Sequence, residues 1–142
     1  MPHYPTPRHA PDADAIAAIA REAMAALPRR FRDHLDAVVL QVEDFADDDV
    51  LDELELEDAF ELTGLYTGQP VGAKSVDHSG SLPDMIHLYR VPILLEWIES
   101  GEDLVHLVRH VLIHEVGHHF GLSDADIQNI EDSASSSGDR DR

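Results

Sequence analysis

Residues 103–124 read DLVHLVRHVLIHEVGHHFGLSD. Leu104, Val105, Leu107, Val108, Val111, Leu112, Ile113 and Val116 make any helix formed here apolar on most of its circumference. Such a helix is buried in the middle of a fold rather than laid on its surface. The pattern predicts one helix over 103–120, stopped by Gly121, a residue that tolerates the positive φ of a helix end. His106, His110, His114 and His118 recur every four residues and so share one face of it.

Inside this helix, His114-Glu115-Val116-Gly117-His118 is an HExxH string in the helical context that the motif requires. Four residues advance about 400°, so the two imidazoles project from one face about a turn apart and can reach one metal ion. Glu115 stands about 100° from His114, beside such an ion without being forced to bind it. Its expected role is general base toward a metal-activated water. A hydrolytic zinc site has three protein ligands and an open position, so one ligand is still required. After Gly121 the chain turns back, and Asp124 arrives where it can meet the metal; Asp124 is the expected third ligand. Its alternative role is N-cap of the last helix, a duty that Ser123, with Asp126 at its N3 position, can take instead. The four-histidine stripe spans three turns, about 18 Å, too long for a single ion. His110 is therefore expected as a core histidine or a neighbour of the site, His106 at the surface, and His119 as a packing or rim residue.

The rest of the composition bounds the function. Ten Lys and Arg against 29 Asp and Glu give a net charge of −19. A nucleic-acid partner is excluded in expectation, because phosphate binding needs basic patches, and anionic membrane surfaces are disfavoured for the same reason. With 43% apolar residues the chain can bury a core. There is no cysteine, hence no thiolate metal site and no cysteine nucleophile. No apolar run has signal-peptide or membrane-span length, so the expectation is a soluble, cytoplasmic protein.

Along the chain, residues 1–11 hold four prolines and read as an extended arm. A helix is expected from Asp12 or Asp14, with Ile16, Ile19, Ala20, Met24 and Leu27 at helical spacing up to Pro28. Strands are expected over 37–42, 62–67 and 85–91. Between Glu43 and Glu61 lie eleven acidic side chains and no basic one. This run is either an acidic docking surface or a solvated loop and short helix with Leu51, Leu54 and Leu56 inward. Residues 69–80 read as a turn-rich loop, 92–98 as a short helix whose Pro92 sits in the first turn, and 125–131 as the last helix. The domain is thus 12–132, followed by a disordered polar tail over 133–142.

From His110 to Ile127 the chain resembles the small bacterial zincin-like metallopeptidase family, which carries HExxHxxGxxD; the GHHFGLSDAD stretch is close to its usual wording. Metzincins share the spacing but usually end it in histidine, and no methionine follows Asp124 to make their methionine turn. The resemblance implies an α+β, compact single-domain zincin-like fold: a small twisted mixed sheet packed on helices, with a buried active-site helix carrying His114, Glu115 and His118. It implies a zinc-dependent hydrolase acting on peptide bonds, with Asp124 delivered by the following turn. The charge favours neutral or basic substrates over acidic ones. By analogy with peptide binding in zincins, the strand around 85–89 is a candidate for the edge that pairs with substrate, an interior strand being the alternative. Tyr66, His87 and Tyr89 are candidate oxyanion donors. The rival class is a metal-stabilised binding or regulatory protein that keeps the zincin core without useful proteolysis. A third reading is an acidic docking module built on 43–61.

Overall fold

The computed structural model describes residues 9–68 and 83–140, with side chains through Asp132. The expected loop over 69–80 and residues 1–8 of the expected arm lie outside the described residues. Val39–Glu43 (β1), Gly64–Thr67 (β2) and Met85–Tyr89 (β3) pair into one sheet in the order β1-β3-β2. β3 runs parallel to β1, with Leu40 opposite Ile86 and Val42 opposite Leu88. It runs antiparallel to β2, with Gly64 opposite Leu88 and Tyr66 opposite Ile86. Both its ladders are therefore taken, and the expectation of a substrate-pairing edge at 85–89 is corrected: β3 is the interior strand and β2 is an edge of the described sheet. Ile86 and Leu88, two apart on one face of β3, are fully buried.

Two helices close that buried face. Ala13–Ala25 (α1) starts where Asp12 accepts a hydrogen bond from the Ala15 N–H at 2.8 Å, and it buries Ile16, Ala17, Ala20 and Ala23. Leu104–His119 (α5) is capped by Asp103 and buries nine residues from Leu107 to His119. Ile16, Ala20, Ile86, Leu88, Leu107, Val108, Leu112 and Val116 belong to one apolar cluster. Burying the Val, Leu and Ile side chains among them contributes roughly 1.5–3 kcal/mol each before the entropy cost of ordering them. The opposite face of the sheet carries a smaller cluster, in which Tyr89 packs with Ala46 and Leu51. Leu51 belongs to Asp48–Glu53 (α3), the short helix of the acidic run. Leu56 packs partly there as well, whereas Leu54 is exposed, against the expectation that it faces inward.

Three boundaries differ from the sequence pattern for identifiable reasons. Arg29–Leu35 (α2) follows Pro28, with Phe31 and Leu35 four apart on its buried side. Arg90–Ser100 (α4) begins directly after β3, two residues ahead of Pro92; the first helical turn needs no intrahelical N–H bonds, so the proline is accommodated there. Arg90 also ties distant segments together, its Nε donating to the Pro11 carbonyl at 2.7 Å and its Nη1 to Asp44 at 3.3 Å. Finally, Asp124–Arg140 (α6) continues through most of the segment expected as a polar tail over 133–142. Ile127 and Ile130 bury its first turns, and no proline follows them to break the run. No helix of the described residues is long and apolar enough to cross a membrane.

Candidate metal centre

α5 has a dry side and a wet side. Glu115 lies on the dry side, 8% exposed, while the side chains of His106, His110, His114 and His118 are all between 38 and 58% exposed. The stripe read from the sequence is thus the solvent-facing face of an otherwise buried helix.

Glu115 is held from two directions. A Cβ placed on Gly64 would stand 2.8 Å from Val111 Cγ1 and 3.3 Å from Glu115 Cγ, so the absence of a side chain lets β2 lie directly on α5. That approach brings the Tyr66 backbone N–H to the Glu115 carboxylate, to which it donates. From the other side His118 Nδ1 lies 3.1 Å from Glu115 Oε1. Burial pushes the Glu115 carboxyl pKa up; His118, the Tyr66 N–H and His114 oppose the shift. Behind this pair His119 is 2% exposed, with Nδ1 3.3 Å from the Tyr66 hydroxyl and 3.6 Å from Asp84 Oδ2. It is the packing residue expected. Of the candidate oxyanion donors, Tyr66 is engaged by His119. His87 is tied to Glu43 at 3.1 Å and Thr67 at 3.2 Å, and Tyr89 is 2% exposed.

The turn after α5 has the bonds that a helix reversal requires. The Gly121 N–H donates to the His118 carbonyl and the Leu122 N–H to the Gly117 carbonyl, with Gly121 at φ 66°, the pattern in which a left-handed residue satisfies the last carbonyls of a helix. Ser123 then caps α6, its hydroxyl accepting from the Asp126 N–H at 3.2 Å. Asp124 is therefore released from the capping duty that was its alternative role, and it sits exposed as the first residue of α6. The two helices touch closely: a Cβ on Gly117 would fall 2.4 Å from Ile127 Cδ1.

This hairpin brings Glu131 back along α5. Its Oε1 lies 2.7 Å from His110 Nδ1 and 3.5 Å from His114 Nε2. Among the described residues, His110, His114 and Glu131 are the one group of three or more ligating side chains whose donor atoms lie within 4.8 Å of one another. Of the expected ligands, His114 thus joins a donor cluster, His118 is turned toward Glu115, and Asp124 is exposed near the end of the same stripe. His110 is half exposed and is no core histidine. Glu131 was missed, although the signal existed: it lies seven residues from Asp124, two turns and about 10.5 Å along the returning helix, opposite the middle of the stripe. Both donor sets, His114–His118–Asp124 and His110–His114–Glu131, offer two imidazoles and one carboxylate, a combination that suits zinc.

No curated protein matches the chain. The family model for zincin-like metallopeptidases matches residues 35–134, a span from the end of α2 through the sheet and α5 into α6. The chain belongs to the zincin-like metallopeptidase family.

Proposed function

We propose that the protein is a zinc-dependent peptide hydrolase in which His114, His118 and Asp124 hold the metal and Glu115 is the general base. Family membership implies a divalent metal, usually zinc. The observation that carries the reading is the setting of Glu115: a buried carboxylate on the HExxH helix, fixed by the Tyr66 N–H and by His118. Zinc, when bound, supplies a Lewis acid that polarises a carbonyl and acidifies water. Everything else is work for the chain. The Tyr66 N–H and the His118 ring orient the Glu115 carboxylate as the group that takes a proton from water, and burial keeps its proton affinity above that of an exposed glutamate. Asp124, relieved of capping by Ser123, is available as the oxygen donor. The outward edge of β2 beside Glu115 is where an extended peptide can add as a strand. The surface charge favours neutral or basic peptides.

One observation favours the second reading, a metal-stabilised binding protein: the donor atoms that already converge are those of His110, His114 and Glu131, a set without His118 or Asp124. Glu115→Gln separates the two. With zinc supplied, this variant is expected to keep stoichiometric metal and to lose peptide cleavage by about 100-fold or more, the scale of a lost acid–base catalyst. Cleavage at the native rate by this variant would sink the general-base role, and a native protein that holds zinc yet cleaves nothing in a diverse peptide library would favour the binding reading.

A further inference from the structure

The geometry points to a second divalent-cation site, formed by His110, His114 and Glu131, that competes with the HExxH centre for His114 and serves as a resting position for the metal. The binding stands on the donor cluster alone; the competition rests on the proposed His114–His118–Asp124 centre.

Three observations carry it. First, the donor spacing is close to that of a ligand set. Ligands about 2.0–2.1 Å from a tetrahedral zinc are about 3.3 Å from one another. His114 Nε2 and Glu131 Oε1 are 3.5 Å apart, and the 2.7 Å pair of His110 and Glu131 needs to open only slightly. Second, Glu131 Oε1 is buried and makes no aligned hydrogen bond despite two imidazole nitrogens beside it. A buried carboxylate oxygen without such a bond is costly, and a cation between the three groups would answer it. Third, the His110–Glu131 side of the site has an approach: a cavity of about 120 Å³ is bounded by these two residues, with Arg109, Gln128 and Asp132 on its wall. Two imidazoles with one carboxylate select zinc or a late transition metal over magnesium or calcium, which prefer all-oxygen shells.

The competition follows from the atoms. His114 faces Glu131 through Nε2, and a neutral imidazole nitrogen has one lone pair to give. The two sites repeat the same i, i+4 histidine pair one turn apart, about 6 Å along α5. Their donor chemistry is identical, so they bind the same ion. Glu115 is hydrogen-bonded to His118, two turns along the stripe from His110. Metal held by Glu131 is therefore withdrawn from the base.

The test is Co2+ binding to the full chain after chelator treatment, followed by calorimetry and visible absorption. His118→Ala/Asp124→Ala, which removes two ligands of the HExxH centre, is expected to bind one equivalent. Adding Glu131→Gln or His110→Ala to that background is expected to weaken binding by at least about 10-fold, the minimum for loss of even an outer partner of a metal. The native chain binds one equivalent, because His114 is shared. No binding in the double variant, or binding that neither further substitution weakens, overturns the site; two equivalents in the native chain overturn the sharing. If Glu131→Gln in the native background abolishes binding while the double variant keeps it, the HExxH centre fails and this site stands. Should the double variant not fold, anomalous diffraction from native crystals grown with Zn2+ decides: a peak bonded to Glu131 is expected, and one confined to His118 and Asp124 overturns the proposal.

Discussion

Two tyrosines that flank Glu115 carry the clearest pH signature of this molecule. Tyr89, at the end of β3, is pushed up to about 12, first by burial and then by Glu43, Asp47 and Glu115. Tyr66 on β2 is also raised to about 12, by burial and by Asp84. The sign follows from the protons. Between pH 10 and 12 the folded state keeps a phenolic proton that the unfolded chain, titrating near 10, has lost. The stability that each hydroxyl contributes is whole below pH 10 and disappears as the pH rises through about 12. Tyr89→Phe should therefore flatten the alkaline fall in melting temperature, removing a slope of at most about 1.4 kcal/mol per pH unit. Parallel alkaline curves for the two proteins would show that Tyr89 ionises as an ordinary exposed tyrosine. At this scale the common helix face of His114 and His118 was legible from spacing alone, because an i, i+4 pair shares a helix face whatever surrounds it. Glu115's partner was not: the Tyr66 backbone N–H has no side-chain identity for a sequence to display.

The pairing of α5 with α6 depends on a glycine that the motif leaves unspecified. Gly117 fills one of the two variable positions of HExxH, and a methyl group there would meet Ile127 Cδ1 and Cγ1 at 2.4 Å. Gly117→Ala gains about 1 kcal/mol of helix propensity but must push α6 away, at an overpacking cost of typically 1–3 kcal/mol. The expected net effect is a lower melting temperature and, on the proposed ligand sets, weaker metal binding, since α6 carries both Asp124 and Glu131. Ile127→Ala in the same chain should recover part of the loss, so that the double variant is more stable than the sum of the single changes implies. Strict additivity would mean that the two residues do not press on each other. Elements were read unevenly. α1 and α5 were legible because their caps and apolar periodicity agree, and α6 was legible at its start but not in its length. β3 was correctly taken as a strand, but its central place in the sheet depends on β1 and β2 pairing from either side, which no local pattern encodes. α2, seven residues with two buried side chains, is too short to show a period.

Across the whole molecule, charge and core are distributed in opposite senses. The large apolar cluster lies where α1 and α5 meet one face of the sheet, and Ile127 and Ile130 of α6, which packs on α5, complete it. On the other face, the eleven acidic residues between Glu43 and Glu61 are anchored mainly through the small cluster of Ala46, Leu51 and Tyr89. Few cations answer that run among the described residues; Arg90 reaches Asp44 at 3.3 Å, and the His87 ring, a cation only when protonated, lies 3.1 Å from Glu43. Self-repulsion of like charges works against compaction, and it acts here on a segment held by a small apolar cluster. Such a segment opens locally before the fold as a whole. Salt shortens the range of the repulsion, from about 30 Å at 0.01 M to about 8 Å at physiological ionic strength. Amide hydrogen exchange should therefore slow in residues 43–61 as sodium chloride rises over that range, with the melting temperature rising by a few degrees, while exchange in the buried turns of α5 changes little. Equal slowing in both regions would assign the effect to global stability and remove the acidic run as the weak point of the structure.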